Sequence, residues 1–391
     1  MIDFKEALKI IGGQVFVPDT ERVDLRDAPG RILAEDIISD IDMPPFDRSA
    51  MDGFACRRSD LGDRLEIIES IKAGDVPRMR IGRNQCTRIM TGGKVPDGAD
   101  CVIMVEHTLP EDDRHIRFAG SKTAGNIAFK GEDLKKGDLV LAKGTLLRPG
   151  HIAILAAAGS GKPAVFRQPR VAVLTTGDEI VEPDTLPGGT SIRNSNGPSL
   201  VAQISVMGAL PDYRGIIEDD PSATASAISE ALSSCDAILI TGGVSMGDYD
   251  FVPEVLRSCG IELFFEKVAI KPGRPTVFGK KGNIPVFGLP GNPVSAFIIF
   301  ELMVKPLLFQ MMGHKYDPPA ISLPMGRDYS RKKADRVSFI PVSLNSRGEV
   351  IPAEYHGSGH IHSLAGAWGL MGMETGVYSI KKGERVNVRQ I

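Results

Sequence analysis

The chain has 391 residues, which at roughly 100–200 residues per domain predicts two to four domains. Its 46 Lys and Arg residues nearly balance its 49 Asp and Glu residues, and a net charge of −3 argues against a general nucleic-acid binder, which would be basic. Aromatic residues make up only 6% of the chain, which also disfavours a stacking surface for single-stranded nucleic acid.

Targeting and redox signals are weak throughout the chain. The N-terminus has no basic segment followed by an apolar one, so we predict no signal peptide. The apolar stretch Val294–Gln310 contains Glu301 and Lys305 and therefore predicts a buried helix rather than a membrane span. Five cysteines, an odd number with no C-x-x-C pair, favour reduced thiols in the cytoplasm over disulfides or a zinc knot.

The first 160 residues predict mostly strands and loops. Residues 3–12 form an exception, because Asp3 can cap a helix there and Gly12 can end it. From about residue 14 to 148, short apolar runs alternate with Gly/Pro turns. In the proline-rich loop that follows residue 43, we expect Phe46 and Met51 to pack inward. A second helix is predicted at 150–158.

From Val171 onward, apolar strands alternate with helices, which predicts a parallel sheet with right-handed crossovers. The predicted strands are 171–174, 213–217, 237–240, 261–266 and 285–289. The predicted helices are 198–207, one that begins at Asp220-Pro221, 252–258 and 294–310. The last ~75 residues return to short strands and indicate a small β barrel. The predicted fold is therefore a multidomain α/β and β protein: mostly-β N-terminal domains, a doubly wound α/β domain and a small C-terminal β barrel.

Three glycine-rich loops, at 175–179, 241–250 and 289–293, each follow an apolar strand. Such loops meet beyond the carboxyl ends of the strands, where open α/β sheets bind ligands. Glycines let a phosphate or a flat ring approach the backbone, whose N–H groups face the anion. No loop matches G-x-x-x-x-G-K-[ST] or G-x-G-x-x-G, so a standard NTPase or dinucleotide enzyme is disfavoured.

Carboxylates in these loops would repel an anionic ligand unless a divalent cation intervened. Mg²⁺ prefers one or two carboxylates together with phosphate oxygens. Asp178, Glu179 and Asp250 are the candidate Mg²⁺ ligands, and solvated surface acids are the alternative.

The turn Lys271–Pro275 holds two cations between prolines, which lowers the entropy lost on gripping an oxyanion. Arg274 can bind it bidentately while Lys271 acts as a point charge; an ordinary basic surface turn is the alternative. A second oxyanion candidate is the segment 355–360, through its backbone and Ser358. Histidines at 356, 360 and 362 also raise a zinc alternative, which the glycine-rich loop and the lack of an evident fourth ligand disfavour.

Five motifs occur in order along the chain: Ser49–Ala55, Ile89–Gly92, Thr176–Glu179, Gly242–Gly247 and Leu289–Ala296. Together with Lys271-Pro272-Gly273 they resemble the MoeA family of molybdopterin molybdenumtransferases, similar to the gephyrin E domain. The resemblance covers essentially the whole chain. It implies a cytoplasmic, elongated homodimer in which domains that meet at a site come largely from opposite subunits, so that the cationic turn and the tail would belong to different chains.

The resemblance also implies four domains. Domain I, for linkage and dimerisation, takes 1–20, 37–46 and 125–168, and the mostly-β domain II takes 21–36 and 47–124. Domain III, a MogA-like molybdopterin-binding α/β domain, takes 169–312, and domain IV, the C-terminal barrel, takes 313–391.

The implied reaction inserts molybdate into adenylyl-molybdopterin and releases AMP, with Mg²⁺. Implied partners are the adenylyltransferase and molybdoenzyme maturation factors, with no nucleic acid and no membrane. The residues that the family pattern links to activity are Asp52, Asp133, Glu179, Asp219 and Asp250. Those expected to bind the substrate are Thr91, Gly177, Asp178, Gly242, Gly243, Ser245, Gly247, Asp248, Pro290, Gly291, Asn292 and Pro293. Those expected to bind molybdate are Lys271, Arg274, Pro275, Arg336 and Ser358.

The chain departs from the family pattern at two places: Ala128 stands where many relatives carry arginine, and Gly359 follows Ser358 where some relatives have histidine. Three alternative functions stay open: a non-catalytic molybdopterin-binding or scaffold module, a tungstate-inserting homologue, and an enzyme acting on another nucleotide-linked substrate, similar to nicotinamide nucleotide amidase-like or competence-damage proteins. The full set of acidic residues favours an enzyme over a scaffold. The Ser49–Ala55 motif and the β tail disfavour the third alternative.

Overall fold

The computed structural model of the protein describes residues 1–14, 19–243, 251–353 and 359–391. The chain forms two compact units and passes repeatedly between them. The larger unit comprises Met1–Glu35, Gly144–Arg148 and Pro163–Ile391, and the smaller unit comprises Asp36–Lys143 and Pro149–Lys162. The boundaries of the four domains stay a prediction.

The N-terminal helix of the larger unit spans Phe4–Gly12, as the capping signal predicts. The Asp3 carboxylate accepts a hydrogen bond from the Lys5 N–H at 2.8 Å, which satisfies one of the free donors at the helix start. Phe4, Ala7 and Ile11 share the buried face. This helix therefore packs through one apolar stripe, as a surface helix does.

In the described residues of the larger unit, the α/β domain has a six-stranded sheet and four helices named here. The strands are β1 Arg170–Thr176, β2 Leu210–Ile217, β3 Ala237–Thr241, β4 Glu262–Phe265, β5 Val277–Lys281 and β6 Ile284–Leu289. The helices are α1 Asn196–Val206, α2 Pro221–Ser234, α3 Val252–Ser258 and α4 Pro293–Ile299. A short parallel ladder joins Ile180–Val181 to Ile192–Arg193.

The strand order of this sheet is β2-β1-β3-β6-β5-β4. The first four strands are parallel, as predicted, but β5 and β4 are antiparallel to their neighbours. The prediction of an all-parallel sheet is therefore wrong at one edge. The cause is local: Gly282 and Asn283 make a two-residue turn between β5 and β6, a hairpin connection that cannot join parallel strands.

The α4 helix continues through a π-helical turn at Phe300–Val304 into a last helical segment at Lys305–Met311. This whole run, Pro293–Met311, is long and apolar enough to cross a membrane, yet 78% of its most apolar part is buried inside the protein. The predicted buried helix is thus confirmed. It packs in a core with β1, β3 and β6 and with the N-terminal helix.

The C-terminal segment of the larger unit forms the predicted small barrel. Its strands are Ala320–Pro324, Val337–Leu344, Val350–Pro352, Gly369–Met373 and Arg385–Gln390. Antiparallel ladders join them in the ring order first, fifth, fourth, second, third. A bridge between Met325 and Val350 closes the ring. Shorter pairs add Tyr329–Ser330 with Ser379–Ile380 beside the barrel, and Thr20–Arg22 with Ala164–Phe166 elsewhere in this unit.

The smaller unit is built around a six-stranded sheet. In sheet order its strands are Cys101–Met104, Gly53–Cys56, Gln85–Ile89, Arg64–Ile71, His115–Phe118 and Thr108–Asp112. Two-stranded ladders join Ile127–Ala128 to Arg48–Ser49 and Leu139–Leu141 to Ile37–Ile38, and one helix spans Pro149–Ala157. All five cysteines of the chain are free thiols, as predicted.

Candidate functional site

The predicted loops converge where β1, β3 and β6 end, and there they enclose a cavity of about 570 Å³. Ten predicted site residues line this first cavity: Gly177, Glu179, Asp219, Gly242, Gly243, Pro275, Pro290, Gly291, Asn292 and Pro293. The parallel strands place their carboxyl ends on one edge, so loops that are far apart in sequence meet there. The volume suits a small-molecule ligand rather than a macromolecule.

Close backbone approach shapes the floor of the first cavity. Gly242 has a φ of 102°, and a Cβ atom there would come within 2.3 Å of the Thr176 carbonyl oxygen. Only glycine therefore fits this position. The Thr176 hydroxyl beside it is buried, and among the described residues it has no hydrogen-bond partner. A polar ligand atom could satisfy that hydroxyl, because buried polar groups are normally hydrogen-bonded.

Two asparagines that our sequence reasoning missed hold the loops together. Asn196 Nδ2 donates to Thr241 Oγ1 and to the Gly291 carbonyl oxygen, both at 2.8 Å. Asn194 Nδ2 donates to the Tyr213 hydroxyl at 2.8 Å. Both asparagines line the first cavity. The available signal was the run Asn194-Ser195-Asn196 just ahead of a helix, since such polar side chains typically bond to nearby backbone.

Two acids of the first cavity suit a divalent cation. Glu179 and Asp219 line the cavity wall, whereas Asp178 is not among the described lining residues. Asp178 instead accepts a hydrogen bond from the Asp219 N–H at 3.0 Å, and Asp219 accepts one from the Asp178 N–H at 3.4 Å. Mg²⁺ prefers one or two carboxylates together with phosphate oxygens, so Glu179 and Asp219 are the carboxylates of this wall that could hold it, while the Asp178 carboxylate restrains the Asp219 backbone.

A second cavity of about 680 Å³ adjoins the first, and the two share Pro275 and Asn292 as lining residues. The predicted residues Lys271, Arg274, Pro275 and Arg336 all line it. Arg331 and Lys332, which sequence reasoning missed, line it as well. Among the described lining residues there are therefore five cations and no carboxylate. Asp335 pairs with one of these cations, Arg336, at 3.5 Å, and the remaining positive charge of the cluster attracts an anion.

The cationic turn and the barrel meet within one chain. Residues Ile270–Lys271 pair in parallel with Val337–Ser338 of the barrel, and Arg336 Nη1 donates to the Ile270 carbonyl oxygen at 3.4 Å. The expectation that the cationic turn and the tail come from opposite subunits is therefore wrong for Arg336. Strand pairing between the turn and the barrel within the larger unit is the physical reason.

The smaller unit carries the remaining predicted acids. Asp52 Oδ1 accepts hydrogen bonds from the Thr91 N–H at 2.6 Å and from the Thr91 hydroxyl at 2.7 Å. These bonds hold the pKa of the exposed Asp52 carboxyl below its usual range. Met51, which we expected to pack inward, is instead 41% exposed next to Asp52, while Phe46 is half-buried. The pair Asp52–Thr91 is thus a preformed anionic group on the surface of this unit.

Asp133 lies in a separate pocket of the smaller unit, of about 850 Å³, together with Glu132 and Arg48. Arg48 is the register partner of Ala128, the residue that departs from the family pattern. A guanidinium is therefore present on the strand that faces Ala128, in the pocket that holds Asp133.

Several predicted residues cannot be placed. Ser245, Gly247, Asp248, Asp250 and Ser358 lie outside the described residues, as does His356. Of the described residues in 241–250 and 355–360, Thr241–Gly243 and Gly359 line the first cavity, whereas His360 lines a different pocket. The roles of the five predicted site residues outside the described ranges stay predictions.

The fold and the two cavities define a class: an α/β domain joined to a small barrel, with a ligand cleft that opens onto a cationic pocket. Family models match the chain as "MoeA N-terminal region (domain I and II)" over residues 2–159, "Probable molybdopterin binding domain" over 172–310 and "MoeA C-terminal region (domain IV)" over 323–391. A molybdopterin molybdenumtransferase from Staphylococcus epidermidis is 36% identical, over 99% of this chain and 95% of the relative. One from Staphylococcus aureus is equally similar, with the same coverage.

Solved structures agree over the full length. The molybdopterin biosynthesis moeA protein from Pyrococcus horikoshii superimposes with a TM-score of 0.86 at 32% identity and covers all of both chains. A molybdenum cofactor biosynthesis protein from Pyrococcus furiosus shares the fold, with a TM-score of 0.65 at 23% identity and full coverage of both chains. The chain belongs to the MoeA family of molybdopterin molybdenumtransferases, which confirms the resemblance and the predicted fold class. It is a transferase of molybdenum cofactor biosynthesis.

Proposed function

We propose that the protein inserts molybdenum from molybdate into adenylyl-molybdopterin, releasing AMP and giving the molybdenum cofactor. One observation supports this reaction above the others: the glycine-lined first cavity and the cationic second cavity share Pro275 and Asn292. A ligand in the first cavity can therefore present a reacting group to an oxyanion in the second. Holding two reactants at adjacent sites removes much of the entropic cost of their encounter.

The first cavity fits the pterin and the phosphates. Gly242 and Gly243 leave room for a flat ring or a phosphate against the backbone. Asn196 fixes the relative positions of the loops that end β3 and β6, so the cavity is preorganised before substrate arrives. The buried Thr176 hydroxyl, which has no hydrogen-bond partner among the described residues, offers a polar contact that an adenylated pterin can use.

The second cavity fits molybdate. Lys271 and Arg274 are exposed on their turn, and the pocket they share with Arg336 has no carboxylate among its described lining residues. A tetrahedral dianion would neutralise part of this charge, and guanidinium groups bind oxyanions in the bidentate manner. Tungstate has the same shape and charge, so the cavity suits both.

Glu179 and Asp219 would hold Mg²⁺ beside the phosphates, and a bound cation would supply positive charge that offsets the charge of the phosphate oxygens. The Asp178 carboxylate orients Asp219 by accepting a hydrogen bond from the Asp219 backbone N–H. The other side chains of the site bind and orient the two substrates. Positioning and electrostatics carry this mechanism, and it requires no serine or cysteine nucleophile.

A cytoplasmic homodimer is part of the proposal. The smaller unit exposes large apolar side chains in the segments predicted for dimerisation: Ile38, Ile41, Leu139 and Ile154 are 38–55% exposed. Ile38 and Leu139 oppose each other in one two-stranded ladder. Exposed apolar groups clustered in this way favour burial against another copy. The adenylyltransferase that makes the substrate and maturation factors that receive the product are the further partners proposed.

AMP release tests the reaction directly. Purified protein with adenylyl-molybdopterin, Mg²⁺ and molybdate should release AMP, and tungstate in a parallel reaction defines oxyanion preference. Arg336→Ala should weaken molybdate use, whereas Arg385→Ala, on the barrel surface and outside both cavities' described linings, should not. Protein that binds the substrate yet releases no AMP with either oxyanion would contradict the proposal and favour a non-catalytic binding module.

A further inference from the structure

Arg331 occupies an unusual position in the second cavity. Its Nε donates to the Val377 carbonyl oxygen at 2.7 Å, and its Nη2 donates to the Glu374 carbonyl oxygen at 2.5 Å. Its Nη1 donates to the Arg336 carbonyl oxygen at 2.9 Å and also to the Ser338 hydroxyl. Four of the five guanidinium N–H groups are thus engaged, and all four acceptors are neutral.

Arg331 forms no close ion pair with a described carboxylate, and Asp335 acts on its charge only at longer range. Within the described ranges no carboxylate lies in ion-pair distance of Arg331, while the neighbouring Asp335 pairs with Arg336 Nε at 3.5 Å. Burial lowers the pKa of the half-buried Arg331 guanidinium from its ordinary value, although arginine keeps its charge in proteins. A partly desolvated cation without a counter-ion is costly unless it serves an anion nearby.

The acceptors of Arg331 connect it to the predicted oxyanion contacts. The Arg336 carbonyl belongs to one of these contacts, so Arg331 restrains the backbone from which the Arg336 side chain extends. Ser338 is the register partner of Lys271 in the ladder that joins the cationic turn to the barrel. The guanidinium therefore restrains the segment Arg336–Ser338 directly, and the Lys271 turn only through the strand pairing with Ser338.

We propose that Arg331 is a positioning residue for the oxyanion site, which fixes the backbone that carries Arg336 and the strand paired with Lys271. This inference rests on the proposed function, because it takes molybdate as the occupant of the second cavity. Lysine cannot replace arginine in this role, since one ammonium group cannot reach four acceptors spread over two chain segments in a fixed plane. The role is distinct from direct contact and predicts an effect on oxyanion affinity more than on substrate affinity.

Steady-state kinetics of AMP release on the full-length protein tests the proposal. Arg331→Lys and Arg331→Gln should each raise the KM for molybdate about tenfold, the loss expected for charge-assisted hydrogen bonds. The KM for adenylyl-molybdopterin should change less than about threefold, because the first cavity is untouched. Arg385→Lys is the matched control: this arginine also donates to a backbone carbonyl and a hydroxyl of the barrel, both of Ser322, and should behave as wild type.

A second readout separates positioning from a merely structural role. Sodium molybdate should raise the Tm of the wild-type protein, and this increment should shrink in both Arg331 variants. A structural role would lower the Tm without molybdate and leave both the increment and the molybdate KM unchanged, which would overturn the proposal. A molybdate KM for Arg331→Lys equal to wild type would also overturn it, because charge alone would then suffice.

Two further variants keep the test decisive. Should the Arg331 variants fail to fold, Ser338→Ala removes one acceptor and should raise the molybdate KM about threefold, as loss of one hydrogen bond predicts; no change would refute the inference. Arg336→Ala separates a failure of the positioning role of Arg331 from a failure of the oxyanion assignment. If it raises the molybdate KM while Arg331→Lys does not, only the positioning role fails. If it too has no effect, the oxyanion assignment of the proposed function fails, and the positioning role with it.

Discussion

At the scale of single residues, Thr91 lowers the pKa of the Asp52 carboxyl through two hydrogen bonds. Its backbone N–H is the larger cause of the lowered Asp52 pKa, and its hydroxyl is the second. Thr91→Val removes the hydroxyl and keeps the backbone donor. We therefore expect the Asp52 pKa to rise but to stay below its ordinary value of 3.8, as measured by an NMR pH titration of the carboxyl.

The lowered pKa of Asp52 determines how its ionisation changes the stability of the fold with pH. A lowered pKa in the folded state stabilises the fold above the unfolded pKa, and this contribution is lost as the pH falls through the folded pKa. In Thr91→Val, Asp52 should thus become protonated at a higher pH than in the wild type, and its contribution to stability should be lost at that higher pH. Thr108→Val is a control, since the Thr108 hydroxyl donates to a carbonyl oxygen and not to a carboxylate. An Asp52 pKa equal in all three proteins would contradict the role of the Thr91 hydroxyl.

The adjacent acids Asp178 and Glu179 should differ in function, because only Glu179 is among the described residues that line the first cavity. Glu179→Gln removes a carboxylate that lines the cavity and should lower AMP release about a hundredfold, with a higher Mg²⁺ requirement. Asp178→Asn keeps an oxygen that can accept a hydrogen bond from the Asp219 N–H. This variant should lower the rate of AMP release by less than about threefold. Equal losses in the two variants would show that both carboxylates act directly.

At the scale of elements, a buried ion pair stabilises the π-helical turn after α4. Glu301 is 5% exposed, and its carboxylate accepts from Lys305 Nζ at 2.7 Å and from Gln203 Nε2 at 2.9 Å. Glu301→Leu leaves the Lys305 charge without this partner and should cost about 3 kcal/mol of unfolding free energy. The measurement is urea denaturation of the intact chain, followed in the transition of the larger unit.

A double variant supplies the control for this ion pair. Glu301→Leu combined with Lys305→Met removes both charges and should recover most of the lost stability, because paired removal avoids an uncompensated buried cation. Lys305 Nζ also lies 5.7 Å from the centre of the Tyr316 ring. This cation–π contact should reduce the loss of unfolding free energy in Glu301→Leu. A double variant less stable than Glu301→Leu alone would show that packing, and not charge, dominates here.

Elements with local signals were predictable from the sequence, and those without were not. The N-terminal helix follows from the Asp3 cap and α2 from Asp220 with Pro221, whose capping hydrogen bond reaches the Ala223 N–H at 2.7 Å. The β5–β6 hairpin was missed although its Gly282-Asn283 turn was visible, because the alternating strands and helices favoured a parallel reading. Short strands of the smaller unit carry too few residues to show a periodicity.

At the scale of the whole molecule, the candidate site depends on pairings between distant segments. Predicted site residues make up ten of the twenty described residues that line the first cavity, because glycine loops after apolar strands indicate one edge of a sheet. They make up five of the sixteen that line the second cavity. Sequence patterns could not predict that Lys271 and Arg336 share one cavity of one chain. That arrangement comes from the ladder between Ile270–Lys271 and Val337–Ser338, and strand register is set by packing that local sequence does not encode.

The last prediction concerns the proposed dimer, because the acid Asp52 and the cation Lys271 belong to different units of the chain. If the smaller unit of one subunit serves the larger unit of the other, an isologous dimer holds two equivalent shared sites. Consider a heterodimer of an Asp52→Ala chain and a Lys271→Ala chain, each inactive as a homodimer. In the shared arrangement both lesions fall in one site and the other site is intact.

Such a heterodimer, isolated through two different affinity tags, should therefore recover about half of the wild-type activity per dimer. A site built within one chain would instead receive one lesion in each half, and no activity would return. A second heterodimer, of Arg336→Ala and Lys271→Ala chains, is the matched control: these residues line one cavity of one chain, so each of its cavities carries one lesion and it should stay inactive. Activity in the control but not in the first pair would reverse the arrangement of chains inferred here, and would leave the reaction itself untouched.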